Sequence, residues 1–424
     1  MVTEIKGKRI LGVNPPVFDF AYMDLWSKPL GLLFLLQRLR KDNDVVLLDC
    51  IAQASKGEKT FGRTKTIKTE IEKPEVYGNI PRRYYHYGLQ QEQIIDLLQK
   101  KYGDESPDYI LVTSAMTYWY PGVRWIMELL KSLYPKAVTV LGGIYASLCP
   151  EHAATLGADF IETDRCEPVA PYPAFDLYDT VSYGVLLTSF GCPFFCKYCA
   201  SKILWPRYHR RPLKTVIADY EFQRNLGIKD LAFYDDALLL DKEEFFYPLT
   251  EKIAKDSNIR MHTPNGLHVR QIDKKCAEIL YERNFRTIRL SLESIDPKIA
   301  RDSSDKVART EYSQAVKNLH EAGYSAEDCE TYILVGLPNQ NIQSVRDTIS
   351  FVKDSGGIPK LAEYSPIPGT PYFNEIVKNM PMLKIEPLLQ NNTVYCSYFS
   401  KDIDPLTLQE LKNICLRGTC KTPS

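Results

Sequence analysis

Short unbroken apolar runs alternate with segments of helical spacing along most of the chain. Residues 8–13 (KRILGV) read as a strand that runs into a loop at Asn14-Pro15-Pro16. Residues 29–40 (PLGLLFLLQRLR) have helical apolar spacing and end in basic residues, which suit a helix C-terminus. Residues 45–50, 109–113 and 137–141 are further buried-strand runs, the last stopped by Gly142-Gly143, and 158–161 is a fifth; 122–133 reads as a helix. Continuous apolar strands alternating with helices imply a parallel sheet covered on both faces. Residues 55–91, rich in Lys, Arg and Tyr, interrupt this series. They read as a long solvated insertion plus a helix start or, through Arg82-Arg83-Tyr84-Tyr85-His86-Tyr87, as a flap over an anionic ligand.

Residues 163–180 hold Pro168, Pro171 and Pro173 without periodicity, the pattern of a linker. A second alternating series follows. Its strands are expected at 185–188, 230–234, 260–263, 287–292, 331–335 and 360–364, with helices at 213–226, 242–254, 273–283, 311–322 and 342–353. Right-handed crossovers wind such units into a barrel or part of one, with ligands at the C-terminal strand ends. The expected fold is therefore α/β. An N-terminal doubly wound, Rossmann-like parallel sheet (1–165) and a linker (166–183) precede a (β/α)6 partial barrel (184–371) and a C-terminal extension (372–424).

Composition narrows the class. The 424 residues carry 53 Lys+Arg against 53 Asp+Glu, with 44% hydrophobic residues, the profile of a soluble globular protein of two or three domains. No apolar run is long enough to cross a bilayer, and residues 1–8 lack the apolar core of a signal peptide, so a cytoplasmic address is expected. Zero net charge gives no strong nucleic-acid signal. Eleven cysteines in so long a chain do not form a secreted disulfide scaffold; clustered thiols in a reducing compartment read as metal ligands.

Cys192-Pro-Phe-Phe-Cys196-Lys-Tyr-Cys199 directly follows the first strand of the second series. Three thiolates on one tight loop can hold three irons of a [4Fe–4S] cluster and leave the fourth open to a small molecule. A structural zinc site would need a fourth Cys or His at short spacing, and Cys149, Cys166 and His209 do not stand so. Cys396, Cys415 and Cys420 are either ligands of a second iron–sulfur cluster or incidental; Cys50, Cys276 and Cys329 read as core.

This cysteine motif, placed after the first strand of a six-strand βα series, resembles the radical S-adenosylmethionine (SAM) superfamily over residues 185–371. The resemblance implies that Tyr198 packs by the adenine. It implies that Phe233-Tyr-Asp235-Asp236 receives the SAM amino group, and that Ser291-Leu-Glu293 serves ribose and carboxylate. Val335-Gly336-Leu-Pro338 is similar to the adenine-side backbone motif, with Asn339-Gln340 in place of the usual Gly-Glu, and Pro366-Ile-Pro-Gly-Thr-Pro371 matches the end of the sixth unit. The chemistry agrees: carboxylates accept from an ammonium and from a ribose diol, and a hydroxyl can serve a carboxylate. Each residue also has a plain reading, an Asp pair as a helix cap and Ser-x-Glu as a surface feature.

The N-terminal segment resembles the cobalamin-binding domain of one branch of that superfamily. The matching pieces bring in Pro16, Leu30, Gly31, Asp49, Thr113, Ser114, Gly142, Gly143 and Ile144, all expected at strand C-terminal ends. Gly142 and Gly143 are expected to let backbone approach a corrin or nucleotide tail. The Asp-x-His-x-x-Gly signature that supplies a histidine to cobalt is absent, and Tyr118, Trp119 and Tyr120 either cover the lower face or pack in the core. The resemblance implies a cobalamin-dependent C-methyltransferase; the alternative is a radical rearrangement, cyclisation or C–C coupling enzyme. It also implies a small-molecule, lipid or peptide substrate and an electron donor such as flavodoxin or ferredoxin.

Overall fold

The computed structural model describes residues 4–58, 60–164, 168, 170–253, 258–302, 307–399 and 403–416. Two compact units divide the chain. Residues 1–183, 221–228 and 384–389 form the first, and 184–220, 229–383 and 390–424 the second.

The first unit is built on β1 (Arg9–Asn14), β2 (Asp44–Asp49), β3 (Tyr109–Val112), β4 (Val138–Leu141) and β5 (Phe160–Ile161). They pair in the order β5-β4-β3-β1-β2, all parallel. The order reverses between β1 and β3, so the doubly wound sheet has its switch point at the C-terminal ends of those strands. Apolar side chains fill the sheet because helices cover it: Ile10, Leu11 and Val13 are fully buried. Helix α1 (Leu30–Leu39) buries Leu32, Leu33, Leu36 and Leu39, a stripe at helical spacing. It seats on β1 at Gly12, where a Cβ would stand 2.6 Å from the Leu36 Cδ1.

The stretch 55–91 is not the solvated insertion its polar composition suggested. Val17–Asp19, Lys68–Ile71 and Tyr84–Tyr87 form a three-stranded antiparallel sheet. Tyr77 and Tyr84 are buried against Phe20, with ring centroids 5.0 and 5.2 Å away. The Tyr84 hydroxyl donates to the Phe18 carbonyl at 2.8 Å and that of Tyr77 to the Leu388 carbonyl at 2.7 Å. Arg82 and Arg83 stay at the surface. The proline-rich stretch before residue 184 is also tied down: Phe175 is fully buried, and Tyr178 and Tyr183 donate to Asp49 (2.6 Å) and Asp24 (2.9 Å).

The second unit contains β6 (Gly184–Leu186), β7 (Asp230–Phe233), β8 (Arg260–His268), β9 (Phe285–Glu293), β10 (Cys329–Val335) and β11 (Ile358–Glu363). They pair in sequence order, all parallel, with helices between them. The sheet is an open partial barrel; among the described residues β6 and β11 do not pair. Each C-terminal strand end points into one mouth, where the sequence motifs lie. At the opposite end the Asp230 carboxylate takes a bidentate pair from Arg260 (2.7 Å to each oxygen) and meets the His262 ring at 3.0 Å. The helical stretch after β7 opens with a π-turn, Lys242–Phe246, before Tyr247–Ile253.

Among the described residues no helix is long and apolar enough to cross a membrane.

Candidate active site

The cysteine loop is folded by the short antiparallel pair that follows β6. Ser189–Phe190 pairs with His209–Arg210, and the loop turns back at Gly191, whose φ is +72°. A Cβ there would stand 2.9 Å from the Arg207 carbonyl, so only glycine fits the turn. Cys192 and Cys196 are buried and Cys199 is exposed. The Ser201 amide donates to the Cys199 sulfur at 3.4 Å, and the Ser201 hydroxyl to Asp236 at 2.5 Å. Tyr198 is half-buried in the same loop. Among the described residues no three His, Cys, Asp or Glu side chains are gathered in a geometry that closes on a metal ion.

The loop is also held from outside. The Lys197 amide donates to the Asp302 carbonyl at 2.9 Å, and the Lys197 carbonyl accepts from the Tyr372 amide at 3.1 Å. The Lys197 ammonium lies 2.6 Å from Asp302 Oδ1, and the Tyr372 hydroxyl donates to Oδ2 at 2.7 Å. Partial burial pushes the Asp302 carboxyl up, but the Lys197 and Tyr372 hydrogen bonds outweigh it and hold it below the usual range.

The neighbouring carboxylates of Asp235 and Asp236 part ways. Asp235 is buried and turned back into the loop below. It accepts from the Thr188 amide (3.0 Å) and from the hydroxyls of Thr188 and Ser189 (both 2.6 Å). Burial pushes its carboxyl up, while those hydrogen bonds and Arg210, 4.0 Å away, pull it down. Asp236 is exposed at the mouth. Asp235 therefore braces the end of β6, and of the two only Asp236 is presented for a ligand.

At the end of β9 the register with β10 slips between Ser291 and Glu293. Glu293 adopts φ +67°, a left-handed conformation that costs a non-glycine residue about 1–2 kcal/mol. The Ser291 hydroxyl sits where a Cβ on Gly266 would come within 2.4 Å, and Gly266 has φ +86°. Asn265 donates to the Tyr234 carbonyl (2.8 Å) and Tyr332 to the Pro264 carbonyl (2.9 Å), lacing the ends of β7, β8 and β10 together. After β10, Gly336 takes φ +91° against Cys396, whose sulfur would be 2.7 Å from a Cβ there. Gln340 holds that turn. Its carbonyl accepts from the amides of Gly336 (2.9 Å) and Leu337 (3.3 Å), and its NH2 donates to the Leu334 carbonyl (2.9 Å). Sequence reasoning passed over Thr188, Ser189 and Ser201, whose only signal was adjacency to strand ends, and named Gln340 only as a departure from the usual motif.

Cys396 packs in the core of the second unit. It is fully buried under Gly336, and burial pushes its thiol up to about 12. Cys415 is buried on the helix Pro405–Leu416 and also raised, and Cys420 lies outside the described residues.

In the first unit, Thr113, Ser114, Gly142, Gly143 and Ile144 are brought together. Ser114 donates to the Gly142 carbonyl at 2.6 Å and accepts at its own carbonyl from the Ile144 amide at 2.8 Å. Gly143 has φ +95°, and a Cβ there would lie 2.3 Å from the Ser114 carbonyl. This glycine admits the chain's own backbone at Ser114. Pro16 is buried between Gly88 and Gly122. Asp49 is buried and accepts from Asn14, Ile51, Ala52 and Tyr178, so it caps a turn. Leu30, Thr113, Gly142 and Ile144 are half-buried and Gly31 exposed, forming the rim of the strand ends. Tyr118 and Tyr120 are core residues, whereas Trp119 is half-buried with its ring N–H on Asp19 at 2.7 Å.

A parallel partial barrel with a three-cysteine loop after its first strand defines a radical SAM fold. Residues 186–352 match the Radical SAM superfamily. An uncharacterized methyltransferase of Pyrococcus horikoshii is 22% identical over 90% of this chain and 83% of its own length. The solved structure of the radical S-adenosylmethionine methyltransferase TsrM from Kitasatospora setae, with tryptophan and a SAM analogue bound, superposes with a TM-score of 0.64 at 16% identity. It covers 88% of this chain and 76% of that one. The form of TsrM with cobalamin and a [4Fe–4S] cluster bound gives 0.62, covering 88% and 78%. The likeness to TsrM extends through both units and is one of fold.

Proposed function

We propose that this protein is a radical SAM enzyme that methylates an unactivated carbon with the help of cobalamin. The observation that carries this reading is the convergence of motifs at one sheet edge. The cysteine loop, Asp236 and the Gly336 turn follow the C-terminal ends of the parallel strands β6, β7 and β10, and Ser291 and Glu293 lie at the end of β9. The donor set suits an iron–sulfur cluster: three soft thiol ligands on one loop, with an amide already directed at the Cys199 sulfur. Cys192, Cys196 and Cys199 would hold the cluster, which would supply the electron for reductive cleavage of SAM.

The chain's own residues bind and orient. Asp236 accepts from the SAM ammonium, Glu293 from ribose hydroxyls or the ammonium, and Ser291 serves the carboxylate. Tyr198 and the Gly336 turn border the adenine. Asp235 and Gln340 keep those groups in place from behind. The strained backbone at Glu293 supports a functional use of that carboxylate, since strain of this kind persists where the fold imposes it. Cobalamin is assigned to the rim formed by Leu30, Gly31, Thr113, Gly142 and Ile144 at the switch point, where ligands of doubly wound sheets bind. The likeness to the Pyrococcus horikoshii methyltransferase, and to TsrM with cobalamin and a [4Fe–4S] cluster bound, supports the same reading. The substrate class is a small molecule, lipid or peptide, and reduction calls for a one-electron donor such as flavodoxin or ferredoxin.

The test is anaerobic reconstitution with iron, sulfide and hydroxocobalamin. About four irons and one corrinoid per chain are expected, with 5′-deoxyadenosine formed from SAM and dithionite. Changing Cys192, Cys196 and Cys199 together to Ala should remove the iron and the product. Iron content unaffected by the triple change would overturn the cluster assignment. Protein that makes 5′-deoxyadenosine yet keeps no corrinoid after desalting would remove methyl transfer.

A further inference from the structure

We propose that Asp302 and Tyr372 are positioning residues that lock the cysteine loop through Lys197. This rests on the assignment of the loop as the cluster site. Lys197 sits between Cys196 and Tyr198-Cys199, so the direction of its backbone sets how the second and third thiols are presented relative to each other.

Every polar group of Lys197 is engaged from outside the loop. Its N–H goes to the Asp302 carbonyl, its C=O to the Tyr372 amide, and its ammonium to the Asp302 carboxylate. Asp302 ends the helix Pro297–Asp302, which follows Glu293; Tyr372 lies in the helix Pro371–Ile376, which the Gly369-Thr370-Pro371 turn launches. Thr370 caps that helix by accepting from the Phe373 amide at 3.3 Å, which fixes where Tyr372 points. The turn also abuts the far side of the loop, where a Cβ on Gly369 would lie 3.0 Å from the Ile203 Cδ1. Two segments that carry no cysteine, one after the Glu293 strand and one at the end of the sixth unit, thus clasp the loop at one residue.

An ordinary surface ion pair contributes little. This one differs in geometry. The Lys197 side chain is 49% exposed, but that of Asp302 is only 12% exposed and both its oxygens are used. The Tyr372 ring is buried, so its hydroxyl cannot turn to solvent without moving the helix. The carboxylate is held in place and the lysine is drawn to it.

The clasp can be read without the cluster, because Lys197 is itself a trypsin site on a ten-residue loop. In cluster-free protein, Asp302→Asn should speed cleavage after Lys197 about three- to tenfold, and Tyr372→Phe by less. Cleavage after Lys317, on the helix Arg309–Ala322 of the same unit, should not change. In anaerobically reconstituted protein the same variants should still bind iron. Their reduced-cluster EPR signal should broaden, and its shift on adding SAM should shrink. Unchanged cleavage after Lys197 in both variants overturns the proposal. A parallel rise at Lys197 and Lys317 in both overturns it too, since the bonds would then support the whole unit and not the loop. If wild-type protein binds no iron while Lys197 stays protected in it and exposed in the variants, the clasp stands and the cluster assignment falls.

Discussion

Gln340→Ala removes a side chain that satisfies three backbone groups at the turn after β10. The Gly336 and Leu337 amides lose their acceptor and the Leu334 carbonyl loses its donor. Leu337 is fully buried and Gln340 is 5% exposed, so solvent does not reach these groups in the native packing. Each orphaned buried group costs about 1–3 kcal/mol, and water entering the vacated space would recover part of it. The expected loss is about 2–4 kcal/mol, felt first locally. Hydrogen exchange at Gly336 and Leu337 should accelerate by about two orders of magnitude in cluster-free protein. SAM affinity of the reconstituted enzyme should fall about tenfold, because the backbone that borders the adenine is no longer fixed. Mass-spectrometric exchange over 330–341 and a calorimetric SAM titration read both effects. Native exchange rates at Gly336 and Leu337 in Gln340→Ala would refute the claim that this side chain holds the turn.

Two further outcomes concern the Glu293 carboxylate and a buried histidine. Glu293→Gly removes the carboxylate while keeping a residue suited to the φ +67° backbone, so SAM affinity should drop about 10- to 100-fold; an unchanged affinity in a calorimetric titration would take Glu293 out of the SAM site. His86 is buried between Phe18 and Trp125 with Nε2 3.0 Å from the Leu89 carbonyl, and burial, only partly opposed by that bond, lowers it to about 4. An unfolded chain protonates its histidines near 6.5, so the first unit should lose about 2–3 kcal/mol as pH falls from about 6.5 to 4. His86→Gln should flatten this acid limb in urea titrations at successive pH values, and an unchanged limb would exclude His86 as its source.

The strands were legible because burial on both faces leaves their centres apolar: VVLL and YILV read as strands wherever they lie. The three-stranded sheet of the first unit was not. Its pairing partner, Val17–Asp19, is three residues long and lies far along the chain, and its buried tyrosines carry hydroxyls that read as polar until their acceptors are known.

Asp235 and Asp236 mark the limit of reading a site from residue types. Both carboxylates follow the same strand, and adjacent residues leaving a strand point to opposite sides. Only the hydrogen-bond partners decide which is a brace and which is offered. The same division recurs around both sheets. Asp49, Ser114, Asp235 and Gln340 are buried with their polar atoms committed to backbone or to neighbouring side chains. Thr113 is half-buried and Asp236 exposed, each one residue away from a member of that set. An inward polar residue at a strand end fixes the loop, and its neighbour reaches out from the loop so fixed. A substitution of the inward residue should therefore disturb every ligand contact made by its loop at once, whereas a substitution of the outward one should remove a single contact. Asp235→Asn against Asp236→Asn would separate the two cases. The first should lower both cluster retention and SAM affinity, because Asp235 braces the end of β6 from which the cysteine loop starts, and the second SAM affinity alone. Equal effects of the two changes on the cluster would mean that the hydrogen bonds to Thr188 and Ser189 do not hold the loop.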